Sequence, residues 1–105
     1  MISQGDIIRL DLDPQAGHEQ RGRRPALVIS NNLFNRYSRM YMICPITQTD
    51  KKHAFHILLD DRTNTSGVIL CDQARILDIK ARNYEFIERL PPDILDKAKS
   101  LLYIW

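Results

Sequence analysis

Little in this chain is equipped for metal or thiol chemistry. Only two cysteines occur, Cys44 and Cys71, and both lie inside apolar runs, Met40–Cys44 and Val68–Cys71. Free cysteine packs as a small hydrophobe, so reduced core thiols describe them most simply, with a disulfide left open. No C-x-x-C, H-x-x-x-H or H-E-x-x-H spacing is present, which removes the common zinc frameworks. A glycine-rich phosphate loop and a G-x-S-x-G nucleophile turn are absent too. No metal site and no cofactor are expected. No apolar run approaches the roughly 18 residues of a membrane span, and no signal peptide opens the chain. The expectation is a soluble cytoplasmic protein. Excess charge of one sign is also missing: 15 basic against 13 acidic residues give a net charge of +2. That balance does not argue for a nucleic-acid binder; such an argument must rest on where the charges sit.

What is present suits one small domain over residues 1–105. At 44% apolar residues the chain can fill a core, though chains this short bury a limited share of their surface, and a second subunit would add stability. No repeat, low-complexity tract or linker interrupts it. Ile8, Leu10 and Leu12 alternate with Arg9 and Asp11, the period-two pattern of a half-buried strand over Asp6–Asp13. A polar loop, Pro14–Arg23, follows. Ala26–Ser30, Met40–Ile46, Phe55–Leu59 and Val68–Cys71 are short apolar runs that read as strands. Asn31–Tyr37 between them reads as polar, with one irregular helical turn. Thr49–His53 reads as a loop carrying Lys51 and Lys52, and Arg62–Gly67 as a turn. Arg75–Leu77 and Tyr84–Arg89 are expected to close as a last hairpin.

Near the end the period changes. Pro91 and Pro92 stand where a helix can begin, because its first turn needs no N–H donors, and Asp93 suits the positive end of the helix dipole. Ile94, Leu95, Ala98, Leu101 and Leu102 then recur on one face. The fold class expected is mainly β with a C-terminal helix: five to seven short strands in a small barrel, and a helix over one side.

The densest chemistry is His18-Glu19-Gln20-Arg21-Gly22-Arg23-Arg24-Pro25, with three arginines in four positions before a strand. Pro25 holds Arg24 in an extended conformation. A guanidinium there suits a phosphate, since its fork of donors matches two phosphoryl oxygens. The same residues also describe an ordinary solvated loop. Pro45-Ile46-Thr47-Gln48-Thr49 brings hydroxyl and amide groups to the end of an apolar strand, as a site or as simple strand termination. Gly67-Val68-Ile69-Leu70-Cys71-Asp72-Gln73-Ala74 puts an acid and an amide after another, to read base edges or to cap a turn. His18, His53 and His56 can serve acid–base chemistry, but no spacing fixes a partner. They read as surface or structural histidines.

Together these clusters, in this order, resemble the MazF/PemK toxin family. Gly5-Asp6-Ile7-Ile8 with Asp11-Leu12-Asp13-Pro14 is similar to its opening strand. Gly17-His18-Glu19-Gln20, Gly22 and Arg24-Pro25-Ala26-Leu27-Val28-Ile29-Ser30 are similar to its signature loop and second strand. Pro45-Ile46-Thr47 and Gly67-Val68 through Asp72-Gln73 match two later blocks, and the similarity runs through the closing helix. His18, Arg21 and Arg23 depart from the common pattern. The resemblance implies an SH3-like barrel of the CcdB/PemK-like type, a homodimer and a cognate antitoxin. It also implies sequence-selective cleavage of single-stranded RNA. It assigns catalysis to Arg24 and Thr47, and RNA contacts to Glu19, Gln20, Gln48, Asp72 and Gln73.

The chemistry suits that assignment. RNA carries its own nucleophile, the ribose 2′-OH, so no metal need prepare hydroxide. Arg24 and Thr47 can stabilise charge on the phosphoryl oxygens. Arginine, with a pKa above about 12, is a poor base near neutrality, and Glu19 or His18 is a chemically easier one. Two rivals remain: a CcdB-like toxin that binds DNA gyrase, and a barrel that binds RNA without cutting it.

Overall fold

The computed structural model describes residues 1–12, 22–49 and 54–105. Asp13, His18, Glu19, Gln20, Arg21, Lys51, Lys52 and His53 lie outside the described residues. The elements are β1 (Asp6–Asp11), β2 (Arg23–Val28), α1 (Asn32–Ser38), β3 (Tyr41–Thr47), β4 (His56–Leu58), β5 (Val68–Leu70), β6 (Arg75–Leu77), β7 (Glu85–Arg89) and α2 (Pro92–Leu101). The strands form one antiparallel sheet in the order β4-β5-β3-β2-β1-β7, with β6 also paired to β3.

Alternation along the strands sorts their side chains onto two faces. Residues opposite one another across a ladder share a face. Ile7, Leu27 and Cys44 stand in register and belong to one apolar cluster, with Ile46, Ile57 and Ile69. Ile8, Ala26, Val28 and Ile43 belong to a second cluster, with Leu10, Leu12 and Tyr41. Helix α2 covers the first cluster with Ile94 and Ala98. Pro91 precedes its first residue, Pro92, and Asp93 occupies the first turn, as the sequence pattern predicts. The buried carboxylate Asp6 accepts from the Ser3 N–H (2.8 Å) and from Arg89 (2.5 Å), which offsets its loss of hydration.

Two expectations need correction. Residues 75–77 and 84–89 do not form a hairpin. β6 pairs with β3 over Tyr41–Ile43, whereas β7 pairs with β1. Between them the chain makes a single 3₁₀ turn, and Arg82 is tied across the end of β1. Its carbonyl accepts from the Asp11 N–H at 2.9 Å and its guanidinium donates to the Asp11 carbonyl at 3.2 Å. That crossing delivers β7 to the edge of β1 that β2 leaves open.

The segment read as one irregular turn is a seven-residue helix, α1. Asn31 caps it by accepting from the Phe34 N–H at 2.7 Å, worth about 1 kcal/mol. Asn35 is its buried residue: it donates to the Ser30 carbonyl at 3.1 Å and bonds the Ser30 hydroxyl, which also accepts from the Met42 N–H at 2.9 Å. A polar pair thus anchors this helix, so hydrophobic periodicity could not reveal it.

Leu27 is fully buried and joins β1 to β3 through its two register partners. Leu27→Ala should lower unfolding free energy by about 2–5 kcal/mol, the range for truncating a packed aliphatic side chain. Leu33→Ala, on the exposed face of α1, should stay within about 0.5 kcal/mol of wild type. Urea unfolding curves measure both, and equal effects would contradict this placement of the core.

Candidate active site

The antiparallel pairing of β2 and β3 decides which residues meet. Ala26 faces Pro45 and Leu27 faces Cys44. Extending that register two residues outward sets Arg24 opposite Thr47. Strand β2 begins at Arg23, three residues earlier than its apolar run, so Arg24 is part of the sheet rather than of a loop. Both Arg24 and Thr47 line a cleft of about 460 Å³, together with Arg9, Arg23, Gln48 and the turn Asn64–Ser66.

Thr47 is held tightly. It ends β3, is 8% exposed and pairs with Val68 of β5. Its Oγ1 accepts from the Thr49 N–H at 3.3 Å, and a hydroxyl that accepts keeps its own O–H as a donor. Gly67 lies directly against its main chain: a Cβ built at Gly67 would stand 2.2 Å from the Thr47 carbonyl oxygen, and the Gly67 φ is +114°. Only glycine satisfies both the backbone angle and the approach.

The neighbouring wall is fixed by polar contacts. The Gln48 side-chain amide donates to the Ser66 hydroxyl at 2.8 Å and to the Ser66 carbonyl at 3.1 Å. Glu88 of β7 accepts from the Asn64 N–H (3.0 Å), the Thr65 N–H (2.8 Å) and the Thr65 hydroxyl (2.8 Å). Burial works against ionisation of Glu88, but those donors outweigh it and hold the carboxyl below its ordinary range. One residue earlier, a β-bulge leaves Ile87 unmatched between Phe86 and Glu88 and turns it to the cleft.

The cleft is cationic. Arg9, Arg23 and Arg24 line it, and no acid does so among the described residues. Arg9 and Arg23 are steadied from behind by Glu85, at 3.6 and 3.4 Å, and Arg23 also by Asp11 at 3.4 Å. Donors of positive charge facing a hydroxyl and an amide suit a phosphoryl group. Among the described residues, no group of three His, Cys, Asp or Glu side chains is placed to share a metal ion.

The structure therefore joins Arg24, Thr47 and Gln48 in one cleft. It places Asp72 and Gln73 elsewhere, on a 3₁₀ turn after β5. Asp72 lines a separate shallow cleft with Phe55 and Leu102, and meets His56 Nε2 at 3.1 Å. The His56 side chain is 8% exposed. Glu19 and Gln20 fall outside the described residues. Sequence reasoning missed the wall residues Asn64, Thr65 and Ser66, and the supports Glu85 and Glu88. The polar run before Gly67 was a signal for the first three; a carboxylate on an edge strand carries no such signal.

Residues 3–105 match the protein family described as PemK-like, MazF-like toxin of type II toxin-antitoxin system. The chain is 38% identical over 105 residues to Endoribonuclease PemK of Escherichia coli, covering 96% of this chain and 79% of that one. It is 34% identical over 109 residues to Endoribonuclease EndoA of Bacillus subtilis strain 168, covering 99% and 93%. The crystal structure of MazF (Form-I) from Deinococcus radiodurans superposes with a TM-score of 0.85 at 38% identity, covering 98% and 97%. The MazE-MazF (Form-II) structure from the same organism gives a TM-score of 0.79 at 38% identity, covering 99% and 97%.

Gly67→Ala should strain the backbone and push on the Thr47 carbonyl, lowering stability by about 1–3 kcal/mol. The exposed substitution Asp61→Ala should change it by less than about 0.5 kcal/mol. Denaturant midpoints read both. A Gly67→Ala protein as stable as wild type would mean that Thr47 is not held by this contact.

Proposed function

The chain belongs to the family of PemK-like, MazF-like toxins of type II toxin–antitoxin systems, and on that premise we propose that it is a sequence-selective endoribonuclease cutting single-stranded RNA without a metal. The observation that carries the reading is the β2–β3 register, which sets Arg24 opposite Thr47 in a cleft lined by cations. The relatives named above as endoribonucleases support it, and they favour it over a gyrase-binding toxin of similar architecture.

In this reading the scissile phosphate lies between Arg24 and Thr47. The ribose 2′ oxygen attacks phosphorus, its proton passes to a base, and the bond to the 5′ oxygen breaks as that oxygen gains a proton. The products are a 2′,3′-cyclic phosphate and a 5′-OH end. Arg24 and the Thr47 hydroxyl stabilise charge growing on the non-bridging oxygens, and fixed donors do this without reorganising. Gln48 stands beside them for RNA contact. Glu19, Gln20, Asp72 and Gln73 are the further RNA-contacting candidates, and Glu19 or His18 serves as the base. The reading includes action in the cytoplasm, a second copy of the chain, and a cognate antitoxin whose acidic, disordered tail competes for the arginines.

Arg24→Ala and Thr47→Ala should each lower RNA cleavage by at least about 10²–10³-fold, since each removes a transition-state donor. Circular dichroism should be unchanged, and the RNA should be supplied without gyrase. Near-wild-type cleavage by either variant at matched folding would overturn the assignment.

The nucleophile can be tested directly. An RNA carrying a single 2′-deoxy sugar on the 5′ side of the cut should survive in excess EDTA, while the all-ribose strand is cut to a cyclic phosphate. Cutting of the deoxy strand, or loss of all activity on chelation, would point to a hydrolytic or metal-dependent enzyme.

A further inference from the structure

A second cleft, of about 410 Å³, is lined by Arg36, Arg39, Lys80, Tyr41 and Tyr84, and by no acidic side chain among the described residues. Several cations elsewhere on this surface are paired. Arg9, Arg23, Arg62 and Arg89 each have a carboxylate partner within 4 Å. Arg36, Arg39 and Lys80 have no ion pair among the described residues. Three cations facing one concavity repel each other, and an anion relieves that repulsion.

Two further observations bear on this cleft. Arg39 closes α1 with φ at 60°, in the left-handed region where glycine or asparagine is the usual choice. A strained cationic residue at a position that glycine would fill more cheaply suggests that its side chain is needed there. Tyr84 is 38% exposed, beside a Tyr41 that is 9% exposed. Burial, and then the neighbouring Tyr84, raise the Tyr41 phenol above its ordinary range, so it stays protonated as a hydrogen-bond donor.

The chain on either side of Tyr84 reaches an arginine of the first cleft. The Asn83 carbonyl accepts from Arg23 of the first cleft at 2.6 Å, and the Glu85 carboxylate pairs with the same arginine at 3.4 Å. Tyr84, between them in the chain, lines the second cleft. Tyr84 is therefore one residue from each of the two groups that hold Arg23. Phosphate-binding cations interleaved with an exposed aromatic ring form a platform for single-stranded nucleic acid. An acidic peptide would use the cations but leave the ring without a role.

We propose that the second cleft is an outlying contact site for the RNA strand, holding its phosphates on Arg36, Arg39 and Lys80 and stacking one base on Tyr84. This rests on the endoribonuclease reading above, and gives the enzyme a grip on RNA beyond the bond it cuts.

The test compares wild type with the triple variant Arg36→Gln, Arg39→Asn, Lys80→Gln, whose asparagine tolerates the left-handed backbone. Lys80→Gln alone serves if the triple variant folds poorly. The probes are mixed-sequence 2′-O-methyl RNAs of about four and about sixteen nucleotides, which bind without being cut. Removing one cation–phosphate pair should reduce the slope of log affinity against log salt by about 0.7, so the triple variant should lose about 2 for the long RNA and Lys80→Gln about 0.7. The short RNA should keep its wild-type slope. Tyr84→Leu should weaken the long RNA at every salt concentration with the slope unchanged. Equal slopes for wild type and variant on the long RNA would overturn the inference while leaving the nuclease reading intact. So would an unchanged RNA affinity accompanied by lost binding of polyglutamate, which would assign the cleft to an acidic protein segment. Wild-type protein that neither binds nor cuts RNA would overturn the nuclease reading, and this inference with it.

Discussion

Everything at the nuclease cleft depends on β3 changing partners partway along its length. One edge of β3 lies against β2 throughout its pairing, from Ile43 to Pro45. The other edge pairs first with β6, over Tyr41–Ile43, and then with β5, over Ile46 and Thr47. Pro45, which has no N–H to donate, falls between the two ladders, where a missing donor is tolerated. By switching to β5 the strand carries Thr47 past the last β2–β3 pair while keeping it in a sheet. A buried strand end offers its hydroxyl from a far stiffer support than a loop, and stiffness is what the proposed role of Thr47 as a transition-state donor requires.

Electrostatics divides the surrounding labour between two acids of β7. Glu85 faces arginines and holds them in position, leaving the cleft itself free of acidic lining among the described residues. Glu88 faces main-chain and hydroxyl donors and draws the turn between β4 and β5 towards β7. Because β4 and β7 are the two ends of the strand path among the described residues, this carboxylate links ends that no described ladder joins. The barrel expected from the strand pattern is therefore seen as a seven-stranded sheet whose ends are tied by a side chain.

Much of this was legible in the sequence because it follows from periodicity. Ile8, Leu10 and Leu12 marked one buried face of β1, although Ile7 on the other face is buried as well, and the change of period after Pro92 marked α2. The Arg24 and Thr47 pair was legible through family resemblance, since each cluster alone also describes a solvated loop or a strand end. The illegible parts rest on polar contacts and turns, which leave no apolar period in the sequence. The anchoring of α1 by Asn35 and Ser30 is polar, and so are the bonds by which Arg82 ties the chain before β7 to the end of β1. The separation of Asp72 from the cleft follows from the 3₁₀ turn after β5, which a run of apolar residues ending in an acid does not distinguish from a continuing strand.

The pairing of β1 with β7 also has a temporal side. Asp6 waits for Arg89, and Ile7 for Glu88, so one edge of the first strand stays open until more than eighty further residues have been made. Contacts so distant in sequence form late, because the loop they close must first be brought together. Until then β1 presents unpaired main-chain groups, the condition under which strands join neighbouring chains. Ile87 and the two supporting acids arrive on that same last strand. A nascent chain thus has no finished cleft until β7 has been made and has found β1.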